Sequence, residues 1–159
     1  MLGRRKQLTG ALAQVEFIRG SDWENARRLA EAAEEAAGKG ARLVVLPSLC
    51  LCGHSQPSSI EVPEAWQGLF KTLLGLSTKA VLVLPLPHPV CAGFKGRFLV
   101  FAGGKLVEVA TGEFLIDAAD VRVAVLSLPR AEDAFHRVKE SGAQVVCLAG
   151  QRRYLGEDL

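Results

Sequence analysis

An α/β fold is what this sequence predicts, on three observations. Short apolar runs of strand length alternate with stretches of helical period, in the order strand, helix, strand, helix, strand, hairpin, strand, helix, strand. The runs Arg42–Pro47 and Ala80–Leu86 are nearly continuous in apolar residues, the mark of strands buried on both faces. Each helical stretch is closed by glycine, which supplies the left-handed residue that ends a helix. At 159 residues the chain is sized for one domain.

The elements follow in order. Residues Gly10 to Ile18 alternate loosely and predict a first strand over Ala11–Phe17. Ser21-Asp22-Trp23-Glu24 has the form of a capping box, with the Ser21 hydroxyl accepting from the Glu24 amide. The helix it opens carries a stripe of Trp23, Ala26, Ala30, Ala33 and Ala37. On its wet side Glu24–Arg28, Arg27–Glu31 and Glu35–Lys39 stand four apart, and Gly38 and Gly40 stop it. The strand Arg42–Pro47 is followed by a Ser- and Pro-rich stretch from His54 to Ser59. Pro63 opens a second helix through Trp66, Leu69, Phe70, Leu73 and Leu74, ended by Gly75. After the strand Ala80–Leu86, residues Pro87–Gly96 read as a loop. Arg97–Ala102 and Lys105–Ala110 flank Gly103-Gly104 as a β-hairpin. Phe114–Ile116 is a short strand, Asp117–Asp120 a turn and Val121–Ser127 a strand. Pro129 opens a helix whose stripe is Ala131, Ala134, Phe135 and Val138; Gly142 stops it, and Gln144–Ala149 is the last strand before a charged tail.

Composition excludes several classes. Apolar residues make up 49% and charged residues 23%, which is globular and not disordered. A net charge of +2 with no block of five like charges gives no electrostatic footprint for nucleic acid or an anionic membrane. Pro85, Pro87 and Pro89 break the longest apolar run well short of the ~18 residues that span a bilayer. Arg4-Arg5-Lys6 leads into polar residues, so no signal peptide is expected. Cys50, Cys52, Cys91 and Cys147 form no C-x-x-C pair, and reduced thiols in a cytoplasm are the expected state. One Asn, one Met and an excess of Arg over Lys give a thermophile-like composition, which a GC-rich genome would also produce.

Two segments together resemble a known family. Ala11–Val15, then Trp23-Glu24-Asn25-Ala26, then Ala41–Ser48 is similar to the opening of the nitrilase (carbon–nitrogen hydrolase) superfamily, closest to its amidohydrolases and to the glutaminase domain of glutamine-dependent NAD synthetase. Val121–Arg130, continuing through Ser141–Val146, resembles the strand, elbow, helix and strand that carry that family's nucleophile. The hairpin Phe98–Val109 resembles the one between them. The resemblance implies a nitrilase-like α-β-β-α sandwich, with a mixed sheet and helices on its outer face. It also implies that residues 1–159 are a single truncated domain lacking the family's C-terminal elements.

The family's chemistry rests on a Glu base, an oxyanion-stabilising Lys and a Cys nucleophile. Carried over by position, these fall on Ser48, on Gly112 in the stretch Ala110–Gly112, and on Leu128. A leucine cannot attack a carbonyl, and a serine has no ionisation near neutral pH with which to act as a base. The missing lysine removes charge stabilisation that contributes several kcal/mol, of order ~3, in such sites. A one-residue shift would put Ser127 at the elbow, with no base beside it. The catalytic machinery is therefore expected to be lost, with no cofactor and no metal.

Other residues read as structural. Cys50, Cys52 and His54 are the one ligand-like cluster, but zinc wants four ligands in spaced pairs and no second pair exists; the resemblance, which places small residues at Cys50 and Cys52, implies buried thiols. His88 and His136 read as a loop and a solvated helix histidine, and Asp117, Asp120, Glu132 and Asp133 as turn and helix-start acids. Trp23 and Trp66 read as helix anchors, and Gly93–Gly96 and Gly103-Gly104 as turns, since no phosphate-loop pattern is present. The expected function is a degenerate nitrilase-like protein with a structural, binding or subunit role. The alternative is a small amide or nitrile hydrolase using Cys147 or Cys52 as a relocated nucleophile. A lone truncated sheet would expose an apolar face, so a homodimer is expected to restore the layers, and an intact amidase or NAD-synthetase-type enzyme is the expected kind of partner.

Overall fold

The computed structural model describes residues 6–47, 64–86, 98–127 and 131–149. Five strands form one sheet in the order β1-β2-β3-β4-β5: β1 (Gly10–Leu12), β2 (Leu43–Val45), β3 (Val81–Pro85), β4 (Phe98–Ala102) and β5 (Lys105–Val109). The first three run parallel, and β4 and β5 are antiparallel to their neighbours, so the sheet is mixed. Three strands form a second sheet, β6 (Glu113–Ala118), β7 (Val121–Ser127) and β8 (Val145–Ala149), with β7 antiparallel to β6 and parallel to β8. Three helices complete the described part: α1 (Asp22–Gly38), α2 (Glu64–Leu76) and α3 (Ala131–Glu140).

The continuously apolar strands are explained by the layers on either side of them. Val44, Leu46, Leu82, Leu84, Leu99 and Phe101 face α1 and α2, packing with Leu29, Ala33, Trp66, Leu69 and Leu73. The alternate residues Leu43, Val45, Val81, Val83, Phe98, Val100 and Val109 face the other way. There they meet Val121, Val123, Val125, Cys147 and Ala149 of the second sheet. Ala124 and Leu126 turn outward to Ala134 and Val138 of α3. The result is helix, sheet, sheet, helix, as the resemblance implied. The two sheets already face each other within one chain, so the lone-sheet premise for a dimer does not hold.

Several elements differ in detail from the sequence reading. The first strand is only three residues long, although Ala13 N–H still donates to Val45 O at 2.9 Å. The strand after β5 is longer than Phe114–Ile116, because Asp117 and Ala118 pair with Arg122 and Val121. The turn therefore shrinks to Ala119 and Asp120, at φ 49° and 64°. It has the same form as the Gly103-Gly104 turn, whose φ values of 58° and 74° suit glycine without strain. Gly104 N–H donates to Ser77 Oγ at 2.9 Å and Gly103 N–H to Ser77 O at 2.8 Å, tying that hairpin to the end of α2.

At the start of α1 the capping box does not form. Ser21 makes no side-chain cap bond, and the Glu24 carboxylate is engaged by the guanidinium groups of Arg27 and Arg28 instead of reaching back. Hydrogen bonds from Arg27 and then Arg28 hold the Glu24 carboxyl down at about 2. The other two pairs, Arg27–Glu31 and Lys39–Glu35, form as spaced. Trp23 is 65% exposed and anchors nothing, since the buried face is Ala26, Leu29 and Ala33. The entry to the helix is fixed instead by Asn25, which is fully buried. Its Oδ1 accepts from Ile18 N–H at 2.8 Å and its Nδ2 donates to Ile18 O at 2.9 Å, closing the loop from β1.

Asn25→Leu leaves Ile18 N–H without its partner and takes one of two donors from Ile18 O, which keeps Ser21 N–H at 3.2 Å, and is expected to cost ~1–3 kcal/mol in urea unfolding. Asn25→Asp keeps the acceptor only and should fall between. A loss below about half a kcal/mol for Asn25→Leu would show that the clamp contributes nothing.

Candidate functional site

The candidate site lies where β5 hands over to β6 beside the end of β7. β6 and β7 are antiparallel with Glu113 opposite Leu126, which places Gly112 next to Ser127. Ser127 N–H donates to Gly112 O at 2.8 Å and extends the ladder by one step. Thr111 Oγ1 donates to Glu113 O at 3.0 Å, and the Glu113 carboxylate is paired with the Arg137 guanidinium of α3. A hydrogen bond from Arg137 holds the Glu113 carboxyl below its ordinary value.

Gly112 is required here on two grounds. Its φ is +82°, a backbone state that side-chain-bearing residues rarely take. A Cβ built on it would stand 2.5 Å from Ser127 Oγ, inside any van der Waals contact. Ser127 is 2% exposed, and its hydroxyl has no hydrogen-bond partner among the described residues. Of the three positions the resemblance singles out, Gly112 is therefore described, and the residue before Leu128 lies beside it. Ser48 and Leu128 themselves lie outside the described residues, as do Cys50, Cys52, Cys91, His54 and His88. The contact between Gly112 and Ser127 carries no sequence signal beyond the glycine itself.

Cys147 is brought nowhere near solvent chemistry. It is buried between the sheets opposite Val125, and burial pushes its thiol up to about 11. Trp66 is fully buried against Phe70, with ring centroids 6.4 Å apart, which fits its reading as an anchor. His136 is exposed on α3. Asp117 is ion-paired with Arg122 at 3.1 Å, and a hydrogen bond from that guanidinium lowers its carboxyl. That pair sits in a polar depression of about 350 Å³ with Lys6, Asp120 and Gln144, at the opposite end of β7 from Ser127. A smaller cleft of about 120 Å³ lies between β6 and α3, below the range of ligand pockets. Among the described residues no three His, Cys, Asp or Glu side chains are grouped to hold a metal, and no helix is long and apolar enough to cross a membrane.

Layered sheets of this topology, with the β5–β6 link meeting the end of β7, define a nitrilase-type fold. The chain belongs to the carbon–nitrogen hydrolase family, whose sequence profile matches residues 10–111, from β1 through β5. The structure extends the likeness beyond that span. It is similar to an amidase from Nesterenkonia sp. with a TM-score of 0.67 at 18% identity, over 92% of this chain and 66% of that one. Glutamine-dependent NAD+ synthetase from Acinetobacter baumannii is similar at a TM-score of 0.67 and 15% identity, over 90% of this chain and 32% of that one. At such identities the likeness is one of fold. By sequence, the chain is 32% identical over 93 residues to the energy-coupling factor transporter ATP-binding protein EcfA of Methanothermobacter thermautotrophicus, covering 57% of this chain. The chain spans 30% of that protein's length and just under two thirds of the amidase's.

Gly112→Ala is expected to cost ~1–3 kcal/mol in chemical unfolding, from backbone strain and contact with Ser127 together. Ser127→Ala removes a buried hydroxyl without a partner and should be neutral or stabilising. In the Ser127→Ala background the cost of Gly112→Ala should fall by ~1 kcal/mol, leaving the backbone part. Strictly additive effects would show that the close approach is not what excludes a side chain.

Proposed function

We propose that this chain is a non-catalytic member of the carbon–nitrogen hydrolase family, acting as a binding or subunit component in place of turning over an amide. The observation that carries this reading is Gly112. The position that matches the family's lysine holds a glycine in a left-handed conformation, with Ser127 Oγ where a side chain would begin. A side chain at this position would carry backbone strain and meet the Ser127 hydroxyl. Ser48 and Leu128 at the other two matched positions supply neither a base nor a nucleophile. The kind of partner this role calls for is an intact enzyme of the same fold, an amidase or an NAD-synthetase-type glutaminase. The ATP binding in the name of the Methanothermobacter protein is not carried over, because the 159 residues hold no G-x-x-x-x-G-K-[ST] loop.

The relocated-nucleophile reading loses one of its two cysteines. Catalytic thiols are exposed and acidic, whereas the Cys147 thiol is buried among valines and raised to about 11. The sign of its linkage is that of a neutral group favoured by folding. Its contribution to stability is present below the ordinary thiol value of 9.0 and is lost as pH rises toward about 11.

Given short aliphatic amides, glutamine and nitriles, the purified chain is expected to release ammonia no faster than a heat-unfolded control. With Cys50, Cys52 and Cys91 replaced by serine, Cys147 should react with iodoacetamide only at the rate of unfolding. Ammonia release above the control, abolished by Cys147→Ala or by Cys52→Ala, would overturn the non-catalytic reading and identify the thiol responsible.

A further inference from the structure

Opposite charges gather in the polar depression of about 350 Å³ at the end of β7 away from Ser127. Three separate stretches of chain build it: Lys6 ahead of β1, then Asp117, Asp120 and Arg122 of the β6–β7 hairpin, and Gly142 with Gln144 between α3 and β8. Its volume lies at the lower end of the range that small-molecule sites occupy.

Arg122 is fixed there at both its backbone and its side chain. Gln144 N–H donates to Arg122 O at 2.8 Å, and Gln144 Oε1 accepts from Arg122 N–H at 3.3 Å. The guanidinium donates to Asp117 through Nε at 3.1 Å and Nη2 at 3.4 Å, so these two charges satisfy each other. Lys6 and Asp120 are different: neither has an ion pair or a side-chain hydrogen bond among the described residues, and they do not pair with each other. The Lys6 ammonium is nonetheless close enough to act on its surroundings. The Asp117 carboxyl is held below its ordinary value by Arg122 first, with the Lys6 charge adding to it. The depression thus presents one ammonium and one carboxylate, standing apart beside a pair that is already neutral. A lone anion would meet two carboxylates there and a lone cation two basic groups, whereas a molecule bearing both charges is attracted at both ends.

We propose that this depression binds a free α-amino acid in its zwitterionic form, with the carboxylate toward Lys6 and the ammonium toward Asp120. Arg122 Nη1, which Asp117 leaves unused, is a further donor for the carboxylate. Both ends are needed, because an exposed ion pair contributes only ~0–1 kcal/mol by itself. The affinity is therefore millimolar and falls as salt screens the two contacts. The inference goes beyond the reading of the site at Gly112, since it uses none of those residues.

L-alanine is the probe, with propionate and ethylamine as its two singly charged halves, each titrated at low salt and followed by backbone amide NMR. Alanine is expected to give saturable shifts at Asp120, Arg122 and Gly142, and each half to bind about fivefold more weakly or worse, equivalent to ~1 kcal/mol. Asp120→Asn keeps a residue that tolerates the left-handed backbone, and Lys6→Met keeps the length of the side chain. Both variants are expected to hold the parent melting temperature and to weaken alanine about fivefold or more, whereas Lys105→Met at the other hairpin should leave it unchanged. Alanine has no side-chain amide, so its binding and the ammonia assays on glutamine and aliphatic amides succeed or fail independently. Three results would overturn the proposal: no saturable shift at those amides with alanine in the tens of millimolar, halves that bind as tightly as the whole, or equal loss with Lys105→Met.

Discussion

Everything in this molecule depends on the dry layer between its two sheets. Leu43, Val45, Val81, Val83, Phe98 and Val100 press against Val121, Val123, Val125, Cys147 and Ala149, with β-branched side chains dominating on both sides. Neither sheet is stable with that face wet, and the layer sets their relative position. Once it is fixed, the outer faces have their helices assigned: α1 and α2 on the larger sheet, α3 on the smaller. The link from β5 to β6 must then cross from one sheet to the other, and Gly112 lies in that crossing.

The crossing explains why the candidate site has the form it does. A chain leaving one sheet and joining the next beside the end of β7 has little room, and the left-handed turn at Gly112 brings its backbone against Ser127. The glycine leaves room for the Ser127 hydroxyl, which has no hydrogen-bond partner among the described residues.

Much of this was legible in the sequence, and the failures have physical causes. The continuous apolar runs 43–46 and 81–84 announced strands covered on both faces, and they are. The spacing of Gly103-Gly104 between apolar runs fixed a hairpin that forms as read. The carboxylate half of the capping box failed because Arg27 and Arg28 hold Glu24 from within the same helix. Trp23 failed as an anchor because helical spacing gives a face but not where contact with the sheet begins. Asn25 carried no signal at all, since its partner is the backbone of Ile18, seven residues earlier. At the site, position alone led to Gly112, but that Ser127 bars a side chain there is a tertiary fact.

The turn between β6 and β7 has a consequence of its own. Ala119 and Asp120 hold left-handed angles that the Gly103-Gly104 turn reaches freely, so this hairpin is closed by its six paired residues against the preference of its own corner. The corner, with both its residues exposed, lies at the opposite end of β7 from Gly112. It is therefore a reserve of unclaimed stability: Ala119→Asn together with Asp120→Gly would relax the backbone without disturbing a single buried contact, a gain of ~1 kcal/mol. A chain that leaves such a reserve untouched holds its fold by the mass of its valine layer and has had no need to perfect its corners.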